Sequence, residues 1–598
     1  MGNSKTYTQA DWEEDIQLAK DAHIDAFALN VANELPELTN SLNIAFSVAA
    51  SKGFKLFFSY DYAGLGAFSK GAVVKLCDDF CSKPAYYRFN NKPLLSTFEG
   101  SDSAQEWNDI KARTKGFFVP DWSSQGAFGA IGKAGGVVDG LFNWAAWPWG
   151  NQDMNTYVDA SYMLALNQSG GKPYMMPASP WFYTNLPTWD KNWVWHGDSL
   201  WFDRWNQIIY NEPEFVEIIS WNDFGESHHI GPLVDKAMEA FQYGKAPFNY
   251  GANYPHDGFR AFLPFVIDTY KNGVATITKE GVVGWWRRSA TASCGDGGTS
   301  GNTATQLQLE FAPGQVSQDK IFFSALLGSP ADVSVTIGGA TVLASWTTKP
   351  DGGIGIYHGT ADFSTSHKGD VVITVRRGNS EVAAVKPGSK GSIGPGSCVN
   401  GLTNWNAFVD VAWAPGSISA TPALKRNQQG CIKGTGTGNF KGLCEFNCHY
   451  NCTSAPPSPN PKPSLTNFEN RLPYIRLHLH ATRKDRPRAP TAVRPRIPSR
   501  RPRRELQRPL RRRRPPRLLP PRRLLQDQAA PRGPHRVTLF APRLHQGRCH
   551  QRGRAHGAVL VRLQLRLLPA RRVQVHGAGT AESPARAEWV EGEAEGGA

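Results

Sequence analysis

The chain runs to 598 residues with 66 Lys+Arg against 51 Asp+Glu, a formal net charge of +15. That length exceeds one hydrophobic core, so two or three domains are expected, and without a run of some 18 apolar residues no helix should span a membrane. The charge is uneven: residues 464–598 hold 31 Lys+Arg and 9 Asp+Glu, leaving 35 and 42 in the rest, so the body is mildly acidic and its charge gives no nucleic-acid signal.

Residues 8–22 read as a helix capped by Thr8, with Trp12, Ile16 and Ala19 on one face. A short apolar strand follows at 25–30 (DAFALN), then a helix at 39–51 stopped by Gly53, and a strand at 55–61 (KLFFSYD). The alternation continues with a helix at 72–81, strand 94–99, helix 104–114 and strand 117–121. Strand 140–144, helix 154–166, strand 174–178, helix 199–210 and strand 216–221 complete it. Seven strands, all but one successive pair separated by a helix, predict an α/β domain with a parallel sheet. Asp61, Glu99, Asp121, Asn143, Trp144, Trp181 and Asp223 fall at or just past strand carboxyl ends, which favours a (β/α)8 TIM-like barrel over a doubly wound sheet. A barrel needs eight strands, so a missing first strand is expected upstream of Met1.

The last of these strands runs into FVEIISWNDFGESHHIGP, residues 215–232. Asp223 and Glu226, three residues apart, have Cα atoms at most about 10 Å apart and can face one cavity. That range includes the roughly 6.5–9.5 Å at which inverting glycosidases hold an acid, a base and a water around one sugar bond. The competing reading is a pair of solvated loop acids.

Eleven of the 19 tryptophans lie between Trp122 and Trp221. Flat rings with one polar N–H suit sugar faces as well as cores. Trp122, Trp144, Trp147, Trp149, Trp181 and Trp221 are taken as substrate-binding candidates, against a packed rim as the alternative. Asp61, Glu99, Asp121, Asn143 and Asn222 are candidates for binding sugar hydroxyls or tuning the carboxylates; for the three acids, salt bridging at strand ends competes. His228 and His229 are read as hydrogen-bonding to substrate or to the carboxylates. Adjacent histidines point in different directions and no third ligand is spaced for zinc, so neither a metal nor a cofactor is expected.

The ordered segments YTQADWEEDIQLAKDAHIDAFALN, KLFFSYDY, PLLSTFEG, FFVPDW, FNWAAWPWG, YMMPASPWFY and ISWNDFGESHHIGPL resemble glycoside hydrolase family 71, the fungal α-1,3-glucanases or mutanases. The similarity continues through YPHDGFRAFLPFVIDTYKNG and, more loosely, to about Cys452. The resemblance implies a secreted (β/α)8 enzyme backed by a β-sandwich, hydrolysing α-1,3-glucan with inversion, with Asp223 and Glu226 as the catalytic carboxylates. Glu226 is assigned the acid and Asp223 the base, an order open to reversal. A barrel hydrolase on another polysaccharide and a non-catalytic glucan-binding protein are the alternatives. The expected partner is the polysaccharide, with no nucleic acid, no membrane and a monomeric chain. The signal peptide of the family has no counterpart in GNSKTYTQADW and is expected upstream.

The expected domains are a catalytic barrel at 1–273, a β-sandwich at 274–390, a Gly/Cys-rich disulfide module at 391–455 and a disordered Pro/Arg-rich tail at 456–598. The sandwich follows from short alternating runs between Gly, Pro and Asp turns, and is read as a buttress ahead of a glucan-binding module. The disulfide module has an alternative as stapled loops extending the sandwich. Eight cysteines precede the tail and fit an exported protein, with Cys77 and Cys81 expected to bridge. The tail has 30 Arg to one Lys after residue 464, a bias that fits a GC-rich frame translated out of phase; its composition is not expected to fold.

Overall fold

The computed structural model describes residues 1–33, 38–303 and 309–422, together with the backbone of 558–563. Two compact units divide the chain, one of residues 1–454 with 554–598 and one of residues 455–553. Every described element belongs to the first.

The N-terminal part is mixed α/β. It opens with α1 (Gln9–Asp21), β1 (Ala26–Ala32), α2 (Leu38–Lys52), β2 (Lys55–Asp61) and α3 (Lys70–Phe80). β3 (Arg88–Phe89), β4 (Lys92–Phe98), α4 (Glu106–Thr114), β5 (Phe117–Phe118), α5 (Gly126–Ala134) and β6 (Leu141–Phe142) follow. Then come α6 (Tyr157–Gln168), β7 (Tyr174–Ala178), the hairpin of β8 (Tyr183–Leu186) and β9 (Lys191–Val194), α7 (Leu200–Asn211), β10 (Phe215–Ile219), α8 (Glu239–Tyr243) and α9 (Leu263–Asn272). The helix starts follow local chemistry. Thr8 accepts from the Asp11 N–H while the Asp11 carboxylate accepts from the Thr8 N–H, a reciprocal cap on α1. β1 is buried at all seven positions, which is why it reads as a continuous apolar run without alternation.

The seven expected strands are all present, as are the six expected helices; β3, α5, α8, α9 and the β8–β9 hairpin were not anticipated. β5 and β6 are shorter than expected: Pro120 has no N–H to continue the ladder, and only single parallel bridges, Phe98 to Asp121 and Asp121 to Phe142, carry the pairing further. The main sheet runs β3-β4-β2-β1-β20-β10-β7-β6 with β5 on β4, where β20 is Ala558–Leu563. All its pairings are parallel except β3 with β4. The tail was expected to stay unfolded and the missing strand to lie upstream. Instead six tail residues, AVLVRL, run between β1 and β10, pairing Ala26 with Leu560 on one side and Glu217 with Leu560 on the other. This short run is apolar and β-branched, and the flanking strands each offer it a ladder edge. The remaining tail lies outside the described residues.

From residue 281 the structure is antiparallel. β11 (Gly281–Trp286), β12 (Lys320–Leu327), β13 (Asp332–Ile337), β14 (Ala340–Val342), β15 (Ala344–Thr348), β16 (Gly355–Asp362), β17 (Val371–Arg377), β18 (Ser380–Val385) and β19 (Phe408–Trp413) form two sheets. Their orders are β15-β16-β12-β11-β19 and β14-β13-β17-β18. One apolar cluster, including Trp286 and Phe323 from the first sheet and Val335 and Val375 from the second, joins them. Trp285 points the other way and donates to the Asp198 carbonyl at 2.7 Å, tying this part to the α/β part.

Two disulfides occur among the described residues. Cys77 pairs with Cys81, as expected, and Cys398 pairs with Cys294. In the described part of the expected disulfide module, Cys398 is stapled back to the β region and β19 joins the first sheet as its edge strand, as the stapled-extension alternative has it, because Phe408 to Trp413 finds a ladder partner in β11. Cys431, Cys444, Cys448 and Cys452 lie outside the described residues.

Candidate active site

β10 delivers the chain into a buried turn at the sheet's carboxyl end. The Asp223 side chain caps a single 3-10 turn, Phe224–Glu226, by accepting from the Glu226 N–H at 3.0 Å. The Ser220 N–H donates to the His228 carbonyl and the Ile230 N–H to the Ser220 carbonyl, both at 2.9 Å, closing the loop on its own stem. The Tyr250 hydroxyl donates to the Gly225 carbonyl at 2.7 Å and holds the turn from outside.

Within the loop the side chains form a ring. The Asp223 N–H donates to Ser220 Oγ at 3.0 Å, so the Ser220 hydroxyl hydrogen is free to point at His228 Nδ1, 2.8 Å away. His228 Nε2 lies 2.8 Å from Glu226 Oε2. Because Ser220 Oγ already accepts from Asp223 and turns its hydrogen toward Nδ1, Nε2 carries the ring proton and donates to Glu226 Oε2. Burial pushes the His228 imidazole down to about 4, with Asp223 opposing and Lys191 assisting, so it sits in the ring as a neutral donor. Glu226 Oε1 faces the Lys191 ammonium at 3.0 Å. Lys191 stands at the start of β9, on the hairpin between β7 and α7. Asp223 is 1% exposed and Glu226 7%, so Glu226 is the more accessible of the two.

Donor atoms of Asp223, Glu226 and His228 lie within 4.8 Å of one another, close enough to surround a cation. The Lys191 ammonium already brings a positive charge to Glu226 and would repel a second one. The cluster is therefore better suited to moving protons than to holding a metal.

Ring contacts pass beside this centre. Phe98 meets Trp144 at 4.9 Å, Trp144 meets Trp147 at 6.4 Å, Trp147 meets Phe182 at 4.9 Å, and Phe182 stacks on Trp193 at 5.5 Å. Trp147 and Phe182 also flank the His228 ring, at 5.5 and 5.7 Å. Trp144, Trp147 and Trp193 are half-buried, so part of each side chain stays accessible to a ligand. Trp149 is half-buried too, but packs toward Trp195 and Phe311.

The other candidates divide. Glu99 is partly exposed and accepts from the Ser124 N–H and hydroxyl, at 2.9 and 2.6 Å. Asp121 is fully buried and accepts from the Ser123 N–H at 3.1 Å and hydroxyl at 2.5 Å, while Ser123 Oγ accepts from the Trp144 N–H at 2.7 Å. Asn143 donates to the Tyr174 hydroxyl at 2.6 Å, which donates to Asp159, itself clamped by Arg204. Asp61 caps its loop by accepting from the Ala63 and Gly64 N–H groups. These acids order the loops after their strands through backbone N–H and serine partners.

Trp122, Trp181 and Trp221 are corrections. Each is buried to 1% or less, because the chain after each strand turns the indole under the loops, and a ring with no open face cannot stack on sugar. Trp181 instead donates to the Trp405 carbonyl at 3.0 Å, and Trp221 packs on Phe27. Asn222 is buried and its carbonyl accepts from Asn3 at 2.8 Å. His229 is also buried, stacked on His256 at 4.1 Å behind the turn, so it does not face substrate. Lys191, Ser220, Trp193 and Tyr250 were missed. A usable signal for the hairpin was the stretch of about 20 residues between strand and helix, where 2–6 is usual.

The family described as Glycosyl hydrolase family 71 matches residues 1–421. A glucan endo-1,3-alpha-glucosidase of Schizosaccharomyces pombe is 34% identical over 57% of this chain and 79% of that protein. A mutanase of Penicillium rubens is 33% identical over 56% of this chain and 73% of that protein. A second Schizosaccharomyces pombe protein, an ascus wall endo-1,3-alpha-glucanase, is 28% identical over 45% of this chain and 65% of that protein.

Proposed function

Because the chain belongs to glycosyl hydrolase family 71 and so is a glycoside hydrolase, we propose that Asp223 and Glu226 cleave the α-1,3-glucosidic bond of a cell-wall glucan by acid–base catalysis. The observation that carries this reading is the closed ring of Asp223, Ser220, His228 and Glu226 at the end of a sheet strand, beside half-open tryptophans. Such a ring fixes two carboxylates relative to one another, which a solvated loop pair would not need. Glu226, the more accessible, protonates the leaving oxygen; Asp223 draws a proton from water.

Inversion is the expected stereochemistry. This rests on the family resemblance: ligand oxygens within 4.8 Å put the carboxyl carbons at most roughly 7 Å apart, a bound that admits both the lower edge of the inverting range and the shorter retaining separation. Proton NMR of the first anomer released checks it: an α product would mean retention. For the site itself, Asp223→Asn and Glu226→Gln should each lower turnover by about 10²- to 10⁴-fold with the unfolding midpoint nearly kept. Reducing-sugar release from α-1,3-glucan, β-1,3-glucan and starch identifies the bond. Near-normal release by both variants would remove the assignment.

In this reading β20, β1, β2, β4, β5, β6, β7 and β10 are the eight strands of a (β/α)8 barrel, closed by the Asp121 bridges, and the two antiparallel sheets are a sandwich that buttresses it. The pairings of Cys77 with Cys81 and Cys294 with Cys398 support a secreted or cell-wall location. Among the described residues no helix is long and apolar enough to cross a membrane.

A further inference from the structure

The geometry points to Lys191 as a positioning residue whose ammonium sets how tightly Glu226 holds its proton and thereby where the enzyme's alkaline activity limb lies, an inference that rests on the acid–base reading above. Lys191 Nζ sits 3.0 Å from Glu226 Oε1 although the two are 35 residues apart. Among the described residues, charged and titratable groups meet Glu226 from two directions, Lys191 from the hairpin and Asp223 and His228 from its own turn, while Tyr250 holds the neighbouring Gly225 carbonyl. Asp223 opposes ionisation of Glu226, and neutral His228 contributes only a dipole. The positive charge at the site therefore comes from the hairpin.

The hairpin is not free to swing. The Val194 N–H donates to the Ser300 carbonyl at 2.9 Å and the Ser300 N–H to the Asn192 carbonyl at 3.2 Å. Asn192 Nδ2 donates to the Gly297 carbonyl at 3.0 Å, and the Thr299 hydroxyl to Asn192 Oδ1 at 2.8 Å. The loop providing these partners begins at Cys294, stapled to Cys398. The antiparallel region thus fixes the lysine that faces Glu226.

The sign follows from the acid's role. Glu226 must be protonated to act, and a neighbouring cation favours its ionised form, so removing the cation should let it keep the proton to higher pH. The test is the pH dependence of kcat/KM on α-1,3-glucan for the full chain, Lys191→Met, Lys191→Arg and Glu226→Gln. Lys191→Met should move the alkaline limb up by about one pH unit, with kcat changed more than KM, and Lys191→Arg should restore the original limb. Lys191 is a third exposed, so its replacement leaves the unfolding midpoint near that of the parent, which melting checks. If Glu226→Gln is inactive while both limbs stay in place in Lys191→Met, the inference is overturned and the catalytic assignment survives. If Glu226→Gln is active, the assignment falls and takes the inference with it.

Discussion

Ser220 shows how much one side chain can organise. Its oxygen accepts from the Asp223 N–H and its hydrogen faces His228 Nδ1, so it fixes the imidazole tautomer that donates to Glu226. Ser220→Ala leaves two buried groups without this partner, a cost of about 1–3 kcal/mol in stability. Activity should fall with it, about tenfold if the tautomer accounts for part of the 10²-fold or more that a positioned acid contributes; urea melts and initial rates measure both. A second residue-scale case is Asp159, which receives both Arg204 guanidinium nitrogens at 2.7 and 2.8 Å and the Tyr174 hydroxyl at 2.7 Å, all buried. Asp159→Asn strips the charge from a buried pair and should cost about 3–5 kcal/mol. Because Tyr174 also holds Asn143, the loop bearing Trp144 should loosen too, visible as faster amide exchange there.

At the scale of elements, the strand at 558–563 lies between β1 and β10 and pairs with both, so its backbone matters whatever its side chains do. Leu560→Pro removes one N–H from that central ladder. The expected loss is about 2 kcal/mol or more, from orphaned partners on the neighbouring strand, with a lower melting midpoint and reduced glucan hydrolysis. An unchanged midpoint would show that this strand does not contribute in solution. The same scale explains where sequence reading succeeded and failed. β1, β2 and β7 were legible because buried parallel strands are short apolar runs bounded by helix signals. The β8–β9 hairpin was not, since KNWV carries no strand pattern of its own. Its pairing is completed by Tyr250 from one side and the Ser300 loop from the other.

For the whole molecule, buried titratable groups make stability depend on pH, with histidines and acids acting in opposite directions on the acid side. His228 and His256 are lowered to about 4 and His358 to about 3, each chiefly by burial. The unfolded chain binds protons that these sites refuse, so stability falls as pH drops from about 6.5 toward 4. Asp15 and Asp203 oppose this: burial raises both to about 7, so they weaken the fold as pH rises from about 4 to 7. His229, also lowered, adds to the first set and Asp198, Glu214 and Asp410, also raised, add to the second, so the two sets oppose one another across that interval. Above it His196 takes over. Burial alone would lower it, but the Asp153 hydrogen bond and the Asp198 charge raise it to about 9, so its contribution is full below about 6.5 and lost as pH rises through 9. Melting midpoints should fall as pH rises from about 6.5 to 10, and Asp153→Asn should flatten that decline.

The sequence alone determined the α/β alternation, the antiparallel region behind it, the Cys77–Cys81 bridge and the carboxylate pair. Each of these is local: strand and helix periods, turn residues and a spacing of three are written in consecutive positions. The tertiary structure alone decided which tryptophans keep an open face, that Asp61 and Asp121 secure loops, that a tail segment pairs with β1 and β10, and that Lys191 reaches Glu226. Those outcomes depend on contacts between residues tens to hundreds of positions apart, and side-chain burial and charge pairing exist only once such segments have met.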